Sequence, residues 1–207
     1  GGEPLLDIPG MRSVLSLIAE HSSEKQCPLS FTTNGYNSDL YIDILKKAKE
    51  CTLQITIDGP SEIHNSRRRT ITGKDTFYKI VDNIDLCLSE DISIVLRVNI
   101  DNDNYLSLPD LNKFIRDKGW ETCGNFSAYY GYVKGYGSLY EHAAPIEKLL
   151  SKIIDVSDQK DSINAFSSHG CETVNIFNII KNHKKLPSPK FDFCGMNRTL
   201  FCFAPDG

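Results

Sequence analysis

The first 130 or so residues alternate short, β-rich apolar runs with amphipathic helical patterns, one pair to about every 30 residues. That period leaves few architectures open. Strands joined by crossover helices pair in parallel, and a parallel sheet must be covered by those helices. Strands are expected over residues 29–33, 53–57, 92–100 and 126–130. The first helix, over 9–22, carries Met11, Val14, Leu15 and Ile18 as its apolar stripe, with Pro9 near its start. The second, over 38–50, carries Leu40, Ile44, Leu45 and Ala48, with Ser38 as its cap. A third spans 74–89 on Phe77, Ile80, Val81, Ile84 and Leu88, and a fourth opens at Ser107-Leu-Pro-Asp110 with a capping-box pattern and stops at Gly119. Between Pro60 and Gly73 a polar, basic loop is expected. Beyond Gly131 the period fades into a loop, helices over 145–156 and 172–182, and a short strand over 200–203.

Composition narrows the partners. The 207 residues hold 23 basic and 27 acidic side chains, a net charge of −4, too balanced for nucleic acid or an anionic membrane as main partner. No apolar run approaches the roughly 18 residues of a membrane span. The seven cysteines are an odd number, widely spaced and without a CxxC pair, which favours a reduced, cytoplasmic setting over a disulfide framework. The chain begins Gly1-Gly2-Glu3, with neither Met nor a leader pattern, and is expected to be a piece of something longer.

In parallel βα folds ligands gather beyond the carboxyl ends of the strands. The chemically distinctive residues lie there: Gly1-Gly2-Glu3-Pro4, Thr33-Asn34-Gly35, Thr56-Ile-Asp58-Gly59-Pro60 with His64 and Arg68 downstream, and Asn99. A turn requires Gly or Asn, but not a carboxylate, a hydroxyl and a guanidinium as well. Taken singly, Gly1–Pro4 reads equally as a Gly-Pro turn, Asn34-Gly35 as an ordinary turn, and Arg67-Arg68-Arg69 as a solvated basic loop. Arg97 and Asn99 share one strand face by period two, pointing toward a chamber where a ligand or an internal salt bridge would satisfy them.

The order and spacing of these motifs, with Ile55-Thr56-Ile57-Asp58-Gly59-Pro60-Ser61-Glu62-Ile63-His64-Asn65-Ser66-Arg67-Arg68 as the longest, resemble the radical S-adenosylmethionine (SAM) enzymes. The nearer likeness is to the subgroup with a cysteine-rich, SPASM-type C-terminal extension, which includes anaerobic sulfatase-maturating and peptide-modifying enzymes. The resemblance implies an α/β fold, a partial (β/α)6 TIM-like barrel of parallel strands with the first strand missing. It divides the chain into a barrel core over 1–145, a helical remainder over 146–193 and the opening of the extension over 194–207. It implies an oxidoreductase in which a 4Fe–4S cluster binds SAM and reductively cleaves it to methionine and a 5′-deoxyadenosyl radical, which abstracts a hydrogen atom from a peptide or protein side chain. A flavodoxin or ferredoxin would supply the electron.

Carried over residue by residue, Gly1, Gly2, Glu3 and Pro4 would receive the SAM amino group. Thr33, Asn34, Thr56, Asp58 and Asn99 would complete the cofactor site, and Arg68 would take the carboxylate, with Arg67 and Arg69 as alternative registers. Asn65 stands where the family has Asp, and His64 is expected to be structural. Cys194 would ligate an auxiliary 4Fe–4S cluster; Cys202 reads as a core residue, and Cys27, Cys51, Cys87, Cys123 and Cys171 as small hydrophobes. Tyr129, Tyr130, Tyr132 and Tyr136 are candidates for the substrate wall or for packing. The family's CxxxCxxC motif does not occur, so the chain by itself is expected to be inactive. Competing expectations are a degenerate, non-catalytic peptide-binding barrel and an unrelated TIM-type lyase. An open sheet edge would allow association through that edge.

Overall fold

The computed structural model describes residues 2–25, 28–48, 50–133, 152 and 165–167. Five strands run parallel in one sheet in chain order: β1 (Leu29–Thr33), β2 (Cys51–Thr56), β3 (Ser93–Ile100), β4 (Phe126–Tyr132) and the two-residue β5 (Phe166–Ser167). The α-helices are α1 (Ile8–Lys25), α2 (Ile42–Leu45), α3 (Ser61–Arg67), α4 (Phe77–Ser89) and α5 (Leu108–Asp117). This is the parallel α/β arrangement that the βα period predicts and the partial barrel that the family resemblance implies.

Strand alternation divides the sheet into two unlike faces. On β3, Ile94, Leu96, Val98 and Ile100 are buried, while Val95, Arg97 and Asn99 on the opposite face are only partly covered. Leu53, Ile55 and Ile57 continue the buried face, and Phe77, Ile80, Val81 and Ile84 of α4 with Leu111 and Ile115 of α5 complete the core. The other face is polar. Register places Thr56, Arg97 and Tyr129 side by side across β2, β3 and β4, with Thr32, Gln54, Val95 and Ser127 one row below. Tyr129 donates its hydroxyl to Gln54 Oε1 (2.9 Å), and Gln54 donates its amide to Thr32 (3.3 Å).

Several local expectations change. The second helix is a 3-10 turn over Ser38–Tyr41 followed by one turn of α2, leaving Leu40 exposed. Val14 also faces solvent; Leu15 is the residue of the α1 stripe that is fully buried. Residues 61–67, expected as loop, form α3. Ser107 makes no capping bond to α5, because its hydroxyl donates back to the Asn104 carbonyl (2.7 Å) within a 3-10 turn. Strand β4 runs on through Tyr132. Among the described residues no helix is long and apolar enough to cross a membrane. Gly1, Cys27, Cys171, Cys194, Cys202, Tyr136, the elements expected over 145–156, 172–182 and 200–203, and the divisions at 146 and 194 lie outside the described residues.

Candidate functional site

The first two motifs meet at the carboxyl end of β1. The Thr33 hydroxyl and the Leu5 amide (3.1 Å) both donate to Glu3 Oε1, and the Asn34 amide donates to Oε2 (2.7 Å). A carboxylate has about four lone-pair positions, so the Glu3 side chain keeps about one free. The turn beyond Thr33 is held from below by α4, where the Asn83 side-chain amide donates to the Gly35 (2.8 Å) and Tyr36 (2.9 Å) carbonyls. Gly35 has φ +78°, and a Cβ there would lie 2.8 Å from Ile55 Cγ2, so the turn needs glycine for both conformation and space. Asn34 spends its side-chain carbonyl on the Tyr36 amide (2.8 Å).

A second cluster forms at the end of β2. Arg68 Nε donates to Asp58 Oδ2 (2.6 Å), while Asp58 Oδ1 accepts the Asn99 amide (3.3 Å) and the Asp58 carbonyl accepts Asn104 Nδ2 (2.7 Å). Asp58 is therefore a brace for Arg68 that also ties β2 to β3. The Asp58 amide donates to His64 Nδ1 (3.4 Å), and His64 Nε2 meets Thr76 Oγ1 (3.0 Å). Thr76 gives its one hydroxyl proton to the Arg68 carbonyl (2.6 Å), so Nε2 must carry the imidazole proton. Burial, partly offset by Asp58, pushes the His64 pKa down to about 4 and keeps the ring neutral. The neighbouring arginines have other carboxylates. Arg67 pairs bidentately with Asp101 (2.8 and 2.8 Å), and Arg69 lies 3.4 Å from Asp75. Burial opposes the Asp101 charge, but Arg67 and two backbone amides outweigh it and hold the carboxyl below the usual range.

Glu3, Asn34 and Arg68 line one cleft of about 570 Å³, with Ile71, Thr76 and Ile80 among its other walls. That size is ordinary for a small-molecule site. The residues from Arg69 to Asp75 form its outer lip, a tight turn closed by the Gly73 amide donating to the Thr70 carbonyl (2.8 Å) with Ile71 fully exposed at the tip. Of the expected site residues, Gly2 and Pro4 flank Glu3, while Asp58 and Asn99 support Arg68 from behind. Thr56 stands apart, on the polar sheet face in the row of Arg97, and does not line this cleft. Thr76, Asn83 and Asn104 escaped the sequence reading, which notes Asn65 only as standing where the family has Asp. Asn83 carried a signal, because it falls in the apolar stripe of α4 between Ile80 and Ile84, where a polar side chain must have a partner.

The described residues do not fit an iron–sulfur cluster. Cys51 and Cys87 sit in the core, where burial pushes their thiols up to about 11 and about 12, and Cys123 is alone at the end of a 3-10 turn. Among the described residues no three ligating side chains are grouped for a metal.

Solved structures with the same fold include anSMEcpe with bound AdoMet and the Cp18Cys peptide, with TM-score 0.61 and 20% identity over 95% of this chain and 54% of that one. A His-tagged anSMEcpe with bound AdoMet matches with TM-score 0.59 and 19% identity over 81% of this chain and 45% of that one. Streptococcus suis SuiB matches with TM-score 0.57 and 15% identity over 90% of this chain and 42% of that one. The chain thus spans about half the length of these proteins. No curated protein matches it. Residues 1–115, more than half of the 207, match the Radical SAM superfamily, and the chain belongs to that superfamily.

Proposed function

We propose that this chain is the SAM-binding part of a peptide-modifying radical SAM enzyme of the SPASM type, an oxidoreductase close in reaction to sulfatase-maturating or peptide-maturating enzymes. One observation carries the reading: a carboxylate fixed to the end of β1 and a guanidinium fixed to the end of β2 line the same cleft. The methionyl part of SAM is an ammonium and a carboxylate on one carbon, and it needs those opposite charges at short range. The ammonium would be met by the backbone carbonyls of residues 2–4 and the free lone pair of Glu3. The carboxylate would be met by Arg68, whose Nε is spent on Asp58 and whose terminal nitrogens have no other partner among the described residues. Asp58 then acts as a positioning residue, and Asn99 through its backbone amide. Thr56, on the open face, would contact SAM only at its inner end.

Cluster-bound SAM supplies the radical chemistry of this family once reduced by a donor such as flavodoxin or ferredoxin. We place the cluster's thiolates beyond the described residues, and Cys194 at the start of an extension with an auxiliary 4Fe–4S cluster. In this reading a chain without the catalytic thiolates does not turn over, and the enzyme works in the cytoplasm. The peptide partner is supported by the peptide in the anSMEcpe complex and by SuiB bound to precursor peptide SuiA.

The test uses the full-length protein, anaerobically reconstituted and reduced with dithionite. SAM should be converted to 5′-deoxyadenosine, and Arg68→Ala should weaken SAM binding by about 10- to 100-fold, the loss of one charge-assisted pair. Peptide binding without any 5′-deoxyadenosine would sink the enzyme reading in favour of a non-catalytic barrel.

A further inference from the structure

Six arginines lie among the described residues, and five have carboxylate partners: Arg12 with Asp43, Arg67 with Asp101, Arg68 with Asp58, Arg69 with Asp75 and Arg116 with Glu121. Arg97 is the exception. Its Nε is buried with no hydrogen-bond partner, the one such side-chain nitrogen or oxygen among the described residues. A buried, unsatisfied donor on a cation opposes folding, and its persistence calls for an acceptor that arrives later. Arg97 lies on the polar face of the sheet, in register with Thr56 on one side and Tyr129 on the other. It sits two residues inside Asn99, whose amide is bonded to the Asp58 brace, which puts it about 7 Å deeper along the strand than the Arg68 cluster.

The space beside the guanidinium is also specific. Gly131 is the next residue on the same face of β4, and a Cβ built there would lie 3.8 Å from Arg97 Nε and 3.9 Å from Nη2. Those two nitrogens form the edge of the guanidinium that grips a carboxylate with two parallel hydrogen bonds. A larger residue at 131 would fill the approach to that edge.

We infer that Arg97, with the opening left by Gly131, is a specificity site for a carboxylate of the peptide substrate, an Asp or Glu side chain held on the open sheet face below the SAM cleft. The assignment rests on the peptide-modifying reading for the kind of ligand, but its geometry is independent of Arg68. Tyr129 flanks Arg97 in the same row, and its hydroxyl is tied to Gln54 and through it to Thr32, one row deeper on the same face.

The test is selection from a resin library of acetylated hexapeptides, randomised at all positions, by full-length protein with SAM affinity measured in parallel. Wild type should enrich Asp or Glu over Asn or Gln by about tenfold, the value of one charge-assisted pair at partial exposure. Arg97→Gln should lose that enrichment while keeping its SAM affinity, and Arg97→Lys should retain part of it. Gly131→Leu, which leaves the charge in place, should lose it too, and serves if Arg97→Gln does not fold. No acidic enrichment in wild type, or undiminished enrichment in both Arg97→Gln and Gly131→Leu, overturns the inference. So does loss of SAM binding in a folded Arg97→Gln, which would assign the guanidinium to the cofactor. Acidic enrichment by a wild-type protein that does not bind SAM would support this site and sink the functional reading instead.

Discussion

His64 is fully buried with both ring nitrogens committed, Nδ1 as acceptor and Nε2 as donor. An imidazolium cannot accept from the Asp58 amide, so protonation must break the link between β2 and α3. The folded pKa of about 4 lies below the ordinary 6.5, and between those values the unfolded chain binds a proton that the folded one refuses. The stabilisation is complete above pH 6.5 and is lost as pH falls toward 4, by about 3 kcal/mol in all. Asp101 acts in the same direction at lower pH, because its carboxylate is stabilised by Arg67. Urea unfolding at pH 7.5, 5.5 and 4.5 should show this decline, and His64→Gln should flatten it above pH 4.5. An unchanged wild-type midpoint across that range would contradict the buried neutral ring. The structural role of His64 was legible, because no second ligand stands beside it in the sequence. The division of labour among Arg67, Arg68 and Arg69 was not. Adjacent identical residues differ only in direction, and direction depends on a helix ending at Arg67 that the sequence pattern did not reveal.

That helix, α3, is too short and polar to announce itself: Ser-Glu-Ile-His-Asn-Ser-Arg has one apolar residue in two turns. Tertiary bonds hold it instead. Asn65 Oδ1 accepts from the amides of Thr76 and Phe77 (3.1 Å each), so a side chain of α3 caps the start of α4, which has no cap of its own. Asn65→Ala would orphan both donors in a buried place and should cost about 1–3 kcal/mol by chemical denaturation. Asn65→Asp keeps an acceptor and favours the positive helix end, so it should stay within about 1 kcal/mol of wild type. Equal losses for the two variants would mean that packing, not capping, is what Asn65 supplies. Where the period is long and apolar, as in α4 and β3, pattern and structure agree to within a few residues. They part at 38–50, where the expected four-turn helix is a 3-10 turn and one turn of α2, and at Ser107, whose hydroxyl is drawn into the preceding 3-10 turn. Both are contests between local hydrogen bonds that apolar spacing does not register.

Chain order equals spatial order across β1 to β5, the outcome expected when each crossover returns to the adjacent position. The two residues of β5 could not be read from a strand pattern at all, since their pairing with Ala128 and Tyr129 is purely tertiary. The arrangement makes stability uneven across the sheet. β2 and β3 are bonded on both sides, whereas β1 pairs only with β2 among the described residues and exposes Ser30 and Thr32. Backbone amides of Ile55, Leu96 and Val98 should therefore be among the last to exchange with solvent, and those of β1 should exchange at least about tenfold faster through local opening. Hydrogen exchange resolved to single residues measures this directly. If β1 proves as slow as β3, its outer edge is covered in solution. Repeating the exchange at tenfold dilution then separates the causes: protection that falls on dilution belongs to a second copy paired through that edge, and protection that persists belongs to a strand of the same polypeptide.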